Sequence, residues 1–128
     1  MRLRTVVAVP LIAVSLASCG SSDGSGGSGA TLPPGTVVIT AIEGIAWDKP
    51  SYVEQSIDGN VSIAVKNDSS LPHNLHLVDS ESVDEGISLE VSNRGDVAST
   101  SVPLQPGDYK VICTIAGHGN MKATLTVT

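Results

Sequence analysis

The chain has very few aromatic side chains. Its 128 residues include no Phe, one Trp and two Tyr. A core must therefore be built from Val, Ile, Leu and Ala, and the abundance of Val, Ile and Thr favours strands. Apolar residues still make up 41% of the sequence, which is too many for a disordered chain. The length is sufficient for one domain and a short tail.

Hydrophobic runs long enough to span a bilayer are also lacking. The run VVAVPLIAVSLA, which follows MRLRT, has twelve residues, whereas a spanning helix needs about 20. It predicts a signal peptide over residues 1–18. The sequence Leu16-Ala17-Ser18-Cys19 resembles the lipobox of bacterial lipoproteins, which implies that Cys19 receives a lipid. The alternatives are an ordinary signal peptide beside an incidental cysteine and a cytosolic protein with an apolar N-terminus.

A Gly- and Ser-rich segment follows the predicted cleavage site. Nine of the eleven residues in GSSDGSGGSGA are Gly or Ser, a composition that behaves as flexible coil. Residues 19–35 are therefore interpreted as a linker that tethers a domain, residues 36–128, to a bacterial membrane. We expect the domain to be extracytoplasmic, in the periplasm or at the cell surface.

The remaining sequence predicts short strands and turns, without a long helical repeat. Val61, Ile63 and Val65 occupy alternate positions and therefore share one face of a strand. A short helix is an alternative only around residues 83–89. Several short strands at regular spacing predict an all-β protein, an antiparallel sandwich or small barrel. The predicted strands cover residues 36–42, 60–67, 74–78, 97–104, 109–113 and 122–128.

Sulfur and imidazole side chains are rare and clustered. The chain has two Cys, two Met and three His, and the nine residues CTIAGHGNM contain Cys113, His118 and Met121. Gly117 and Gly119 flank His118 and allow the loop to turn. A buried, inert Cys113 is the simplest alternative, but thiolate, imidazole and thioether together are the soft set that copper prefers.

A second imidazole is available in LPHNLHL, where His73 precedes a predicted strand. Two His and one Cys with a distant Met form a blue-copper site. His76 is the other candidate, but on a strand it points away from the inner face, so we expect it to face solvent. Tyr109 is predicted to bond the backbone as a tyrosine corner, and Trp47 to lie in the core.

Residues Thr36 to Thr128 resemble the cupredoxins, small blue-copper carriers such as plastocyanin and azurin. The resemblance lies in NVSIAVKN leading to PHN, in PGDYKVIC and in GHGNMKATLTV. It implies a Greek-key β-sandwich or barrel that holds one copper ion, cycling between Cu(I) and Cu(II). The implied ligands are His73, Cys113, His118 and Met121.

The resemblance also implies roles for neighbouring residues. The Asn74 backbone N–H would donate to the sulfur of Cys113, and the Asn74 side chain would fix the ligand loop near Thr114. The carbonyl of Pro72 would lie near the copper, too far to be a strong fifth ligand. The edge of His118 would be the electron exit, at an apolar surface patch.

The implied function is one-electron transfer, and not catalysis, by a monomer between extracytoplasmic redox partners such as a cytochrome, an oxidase or a reductase. The alternatives are copper storage or delivery, and a metal-free adhesion domain. A dinuclear copper centre needs two Cys in one loop, and multicopper oxidases need more than three His. A structural zinc site would not explain the presence of Met121, because methionine is a poor zinc ligand. A catalytic Cys113–His118 pair would need a third residue to orient the histidine, and the motif offers no convincing one.

The charge balance is acidic. Without the two arginines of the signal peptide the net charge is 5 − 13 = −8, which argues against a nucleic-acid partner. Five acidic residues lie in the segment DSESVDEGISLE, residues 79–90. This acidic segment is most simply a solvated loop. The functional alternative is a docking site for a basic redox partner.

Overall fold

A computed structural model of the chain describes residues 31–128. The predicted signal peptide, Cys19 and the linker up to residue 30 lie outside the described residues. Among residues 31–128, no helix is long and apolar enough to cross a membrane.

The described residues form nine β-strands. All six strands predicted from the sequence are present, with bounds that differ by a residue or two. The strands are β1 (Thr36–Ile42), β2 (Ala46–Trp47), β3 (Ser51–Glu54), β4 (Asn60–Asn67), β5 (His73–Val78), β6 (Asp84–Val91), β7 (Val97–Pro103), β8 (Gly107–Ile112) and β9 (Lys122–Val127).

The strands pair into two sheets, which confirms the all-β sandwich. One sheet has the order β2-β1-β4-β7 and the other the order β3-β9-β8-β5-β6. The pairs β1–β4 and β3–β9 are parallel, and the remaining pairs are antiparallel. The expectation of a wholly antiparallel sandwich was therefore wrong, because crossing connections bring two pairs of strands together in the same direction.

Aliphatic side chains fill the space between the sheets. Val61, Ile63 and Val65 on β4 are fully buried, as their alternation predicts. Trp47 is also buried. The hydroxyl of Tyr109 donates to the carbonyl of Gln105 at 2.8 Å, which confirms the predicted backbone bond. A core of aliphatic side chains thus supports both sheets without Phe.

The segment for which a short helix was the alternative, residues 83–89, lies almost entirely in strand β6. It pairs antiparallel with β5, and Ile87, Leu89 and Val91 alternate inward while the residues between them are exposed. A period of two fits a strand and not a helix. Gly86 has a φ of +74°, a conformation outside the right-handed helical region. The helix alternative was therefore wrong.

The two ends of the sandwich carry different loops. We call one the histidine end, formed by the loops 68–72, 92–96 and 113–121, because β5 begins there at His73. The opposite or entry end carries residues 31–35, where the described chain enters β1, and the loops 55–59, 79–83 and 104–106. Each loop belongs to one end because the strand directions are fixed by the pairing.

Candidate metal centre

His73 is the first residue of β5 and is 1% exposed. Its Nε2 lies 2.9 Å from the hydroxyl of Ser69. Its Nδ1 is buried without a hydrogen-bond partner, and among the described residues it shares that condition only with the indole Nε1 of Trp47. Buried polar atoms are rarely left unpaired. The free Nδ1 therefore suits a ligand atom facing a metal.

The ligand loop, residues 113–121, carries the other soft side chains. The His118 N–H donates to the carbonyl of Ile115 at 3.0 Å, and the Met121 N–H donates to the carbonyl of His118 at 2.9 Å. These two turns reverse the chain between β8 and β9. Gly117 has a φ of +87°, which glycine adopts without strain. Gly119 does not adopt a positive φ, so only the first flanking glycine is needed for the turn.

The fold brings His73, Cys113 and His118 together. One ligand atom of each residue lies within 4.8 Å of those of the other two, and all three side chains are buried. The Cys113 Sγ is 3.6 Å from Nδ1 of His118, and the two imidazole rings have centroids 4.9 Å apart at an interplanar angle of 42°. Residues 40 positions apart thus present one sulfur and two nitrogens to a common point.

Met121 lies at the end of the same loop and is 1% exposed. It belongs to the core cluster that also contains Cys113. Its side chain is therefore directed inward from the ligand loop. The sulfur is neutral and soft, and it adds a third donor type to the loop, beside the thiol of Cys113 and the imidazole of His118.

The side chain of Asn74 connects β5 to the ligand loop at Thr114, the contact that the resemblance implies. Its Nδ2 donates to the Thr114 hydroxyl at 2.8 Å, and its Oδ1 accepts the Thr114 backbone N–H at 2.7 Å. Pro72 is exposed immediately before His73. The two Asn74 bonds fix the residue after Cys113 relative to the residue after His73.

The electrostatic environment of His73 favours the neutral form of its ring. Burial lowers its pKa below the ordinary histidine value, the neighbouring His118 lowers it further, and the carboxylate of Glu43 acts in the opposite direction. The Glu43 carboxylate accepts hydrogen bonds from the Ser70 N–H and hydroxyl and pairs with Arg94. A neutral imidazole retains the lone pair that metal binding requires.

Similar solved structures agree with this arrangement of sheets. An auracyanin from the photosynthetic bacterium Roseiflexus castenholzii has a TM-score of 0.62 at 20% identity, covering 73% of this chain and 97% of that one. Auracyanin A of Chloroflexus aurantiacus, described as a "blue" copper protein, has a TM-score of 0.61 at 22% identity, covering 73% and 98%. A reduced amicyanin variant has a TM-score of 0.58 at 19% identity, covering 84% and 95%.

The chain has the cupredoxin fold. No protein-family model matches it, and no curated protein matches its sequence. At these identities the likeness establishes the fold, so conclusions about the site depend on the residues of this chain.

His76 is not part of the cluster. It lies on the outer face of β5, as its strand position predicts, where its Nδ1 is 3.4 Å from the carboxylate of Asp84 and its Nε2 is 3.3 Å from the hydroxyl of Ser88. Its side chain is 19% exposed, so it is more covered than the predicted solvent-facing histidine. Because it is three residues after His73 on the same strand, its side chain points to the opposite face of the sheet from the candidate ligand cluster.

Ser69 and Asn67 were not predicted as part of the site from the sequence. Both are buried at the histidine end, and Ser69 contacts His73 directly. Their sequence context, NDSS, is typical of an exposed turn. The available signal was a serine four residues before the candidate ligand His73. That spacing does not by itself indicate a contact, because the contact depends on the loop folding inward.

Most of the acidic segment lies at the entry end, away from the cluster. Loop 79–83 and the start of β6 contain four of its five carboxylates, and only Glu90 pairs across to Asn74 near the histidine end. Six residues of β5 separate the two ends, which corresponds to about 20 Å. Asp79 also accepts the N–H groups of Glu81 and Val83, so it stabilises its own turn.

Proposed function

We propose that the protein is a type 1 copper protein that carries single electrons between extracytoplasmic redox proteins. The observation that supports this most is the buried cluster of His73, Cys113 and His118, in which a ring nitrogen of His73 has no partner. Two imidazoles, one thiolate and a nearby thioether are the ligand set of blue-copper sites. When bound, copper supplies a one-electron couple between Cu(I) and Cu(II).

In this proposal His73 and His118 provide imidazole nitrogens, Cys113 provides the thiolate, and Met121 provides a weak axial contact. The ligands come from β5 and from a loop anchored between β8 and β9. The paired hydrogen bonds between Asn74 and Thr114 connect these two elements. Such a scaffold restricts movement of the ligands, so little reorganisation accompanies each electron transfer.

We place the electron exit at His118. It retains 7% of its surface, against 1% for His73, and it lies on the ligand loop beside the exposed Ala116 and Gly117. Leu71, on the neighbouring loop of the histidine end, is 41% exposed. This arrangement offers an apolar surface next to the ligand that is closer to solvent.

The position of the acidic segment favours docking of a partner at the histidine end over docking at that segment. That segment lies mainly at the entry end, about 20 Å along β5. A partner bound there would be too far from His118 to exchange electrons rapidly. The carboxylates of residues 79–85 therefore act in our proposal as a solvated surface that keeps the protein soluble.

A storage or delivery protein is the rival function. Delivery requires ligands that another protein can reach and exchange. Here Cys113 is 5% exposed and His73 is 1% exposed, which favours a metal that stays bound. Rapid surrender of Cu(I) to a copper-free acceptor, at a rate comparable to dissociation from an exposed site, would favour delivery over electron transfer.

The division of the chain is also part of the proposal. Residues 1–18 would be removed on export, Cys19 would carry the lipid, and residues 19–35 would tether the domain 36–128. The described chain enters β1 at the end opposite the cluster. A tether attached there would direct the histidine end away from the membrane, towards partners. Mass spectrometry of the protein purified from membranes should find a diacylated or triacylated Cys19, and an unmodified Cys19 would contradict this part.

The test of the function is spectroscopic. Adding one equivalent of Cu(II) to the copper-free protein should produce an intense blue thiolate-to-copper band and an EPR spectrum with narrow parallel hyperfine splitting. Stoichiometric reduction and reoxidation should then be reversible. A colourless product, or the pale spectrum of ordinary tetragonal copper, would contradict the assignment.

A further inference from the structure

We propose that Ser69 is a positioning residue that selects the tautomer of His73 and fixes its ring, so that Nδ1 carries the free lone pair. The proposal extends the proposed function, since it states why that nitrogen is ready for a metal. It depends on hydrogen bonds that exist in the metal-free protein. It can therefore be tested independently of copper.

The hydrogen bonds around the Ser69 hydroxyl determine the direction of its bond to His73. Its Oγ accepts the Leu71 N–H at 2.9 Å and lies 2.9 Å from Nε2 of His73. A serine oxygen accepts two hydrogen bonds and donates one. With Nε2–H as the second donor, the hydroxyl proton can point to the carbonyl of Leu71, at 3.5 Å.

The opposite tautomer leaves a buried donor without an acceptor. If Ser69 donated to Nε2, the proton of His73 would be on Nδ1, which has no partner in its buried position. An orphaned buried N–H costs about 1–3 kcal/mol. The geometry thus favours Nε2–H donated to Ser69, with Nδ1 unprotonated.

Ser69 is itself held by a buried asparagine. Asn67 is fully buried, its Oδ1 accepts the Ser69 N–H at 2.8 Å, and its Nδ2 donates to the carbonyls of Leu71 and Val91 at 2.8 Å and 3.4 Å. Its backbone carbonyl accepts the N–H of Gly95. These bonds tie the loop 68–72 to β4, β6 and the loop 92–96, so the hydroxyl is fixed before a metal arrives.

The acceptor for His73 is neutral, although a carboxylate lies nearby. Glu43 is occupied by Ser70 and Arg94. A carboxylate on Nε2 would pull the proton away and make the ring a stronger donor to the metal. A serine fixes the tautomer without adding that negative charge.

The first experiment measures the tautomer in the copper-free protein. Long-range ¹H–¹⁵N NMR spectra of the ring, at a pH where histidines are neutral, should show a protonated Nε2 and an unprotonated Nδ1 for His73. In Ser69→Ala this preference should fall by several-fold, and in Ser69→Thr it should be retained. A protonated Nδ1 in the unaltered protein would overturn the proposal, even if neither variant folds.

The second experiment compares two serine–histidine pairs. Ser88→Ala removes the hydroxyl 3.3 Å from Nε2 of His76, outside the cluster, and should leave the His73 spectrum and copper binding unchanged. Loss of a residue that orients a metal-binding histidine typically costs about 10- to 100-fold in metal affinity, and we expect a loss in this range for Ser69→Ala. Equal affinities for Ser69→Ala and the unaltered protein, with an unchanged tautomer, would overturn it.

The outcomes separate this inference from the proposed function. The correct tautomer in a protein that gives no blue band would support the role of Ser69 and contradict the copper function. A blue protein whose His73 tautomer does not respond to Ser69→Ala would support the function and contradict the role of Ser69.

Discussion

Asn74 and Thr114 are joined by two hydrogen bonds across 40 positions of sequence, one through each polar atom of the asparagine side chain. Asn74 follows His73 and Thr114 follows Cys113. The pair therefore sets the distance between the two segments that supply the candidate ligands. It also links the start of β5 to the ligand loop, residues 113–121, none of which belongs to a strand.

Asn74→Ala should lower the free energy of unfolding of the copper-free protein by about 1–3 kcal/mol, since each lost hydrogen bond contributes about 0.5–1.5 kcal/mol. Thr114→Val removes only the hydroxyl bond and should cost about half as much. Urea unfolding measures both. Asn60→Ala is the control, because the Asn60 side chain makes one bond of 3.3 Å, to the carbonyl of Asp58 at the entry end. Equal losses for Asn74→Ala and Asn60→Ala would contradict the linking role.

Cys113→Ser should abolish the blue absorption band of the copper-loaded protein, because the band requires a thiolate. Met121→Leu should keep the band and raise the reduction potential, since in our proposal it removes only a weak axial donor. Visible spectra and voltammetry distinguish the two variants. A blue Cys113→Ser protein would refute the ligand assignment, and a colourless Met121→Leu protein would show that Met121 is needed to form the site.

Gly117→Ala should destabilise the copper-free protein by about 1 kcal/mol or more, because φ at this position is +87° and side chains with a Cβ adopt that region with strain. No heavy atom would lie within 4 Å of the added Cβ at either Gly117 or Gly119. Gly119→Ala is thus a matched control that adds the same methyl group without the positive φ. Similar thermal stabilities of the two variants would show that backbone strain at Gly117 is unimportant.

Much of the sandwich could be predicted because alternation is a local property. Val61, Ile63 and Val65 are inward-facing whichever strand lies beside them, and β5, β8 and β9 show similar patterns. The parallel pairing of β1 with β4 could not be predicted, since direction depends on which connections cross between the sheets. The two-residue β2 and four-residue β3 are too short to produce a periodic signal.

The candidate ligands were recognisable because their chemistry is rare in this chain. Cys113, His118 and Met121 stand together in the sequence, and the structure brings His73 to Cys113 and His118. The supporting residues were not recognisable, because serine and asparagine in a turn usually face water. The positions of Ser69 and Asn67 beside His73 become apparent only when the loop 68–72 is seen to fold inward at the histidine end. That arrangement depends on tertiary contacts.

The stability of the copper-free protein should fall as the pH is lowered from 7 towards 5. Burial lowers the pKa of His73, so below the ordinary histidine pKa, about 6.5, the unfolded chain binds a proton that the folded chain does not. The contribution is fully present above that pH and is lost as the pH falls, by at most about 1.4 kcal/mol per pH unit.

Urea unfolding at several pH values measures this dependence. His73→Gln should flatten it between pH 7 and 5, relative to the unaltered protein. An unchanged slope in His73→Gln would show that another group is responsible.

Charge changes at the two ends should affect electron exchange unequally. Lys122 is exposed directly after Met121, whereas Glu81 is exposed in loop 79–83 at the entry end. In 0.1 M salt, a protein charge about 10 Å from a triply charged anion changes their interaction free energy by about 0.5 kcal/mol. A charge about 20 Å from the anion changes it by about 0.1 kcal/mol. We therefore expect Lys122→Gln to slow oxidation by hexacyanoferrate(III) about 2-fold, and Glu81→Gln to change it by less than about 1.3-fold.

Stopped-flow measurements at several salt concentrations give both rates. With a cationic cobalt complex as the oxidant, Lys122→Gln should speed the reaction instead of slowing it. A larger effect from Glu81→Gln would place the electron exit near the acidic segment, because screening leaves only nearby charges able to change the rate.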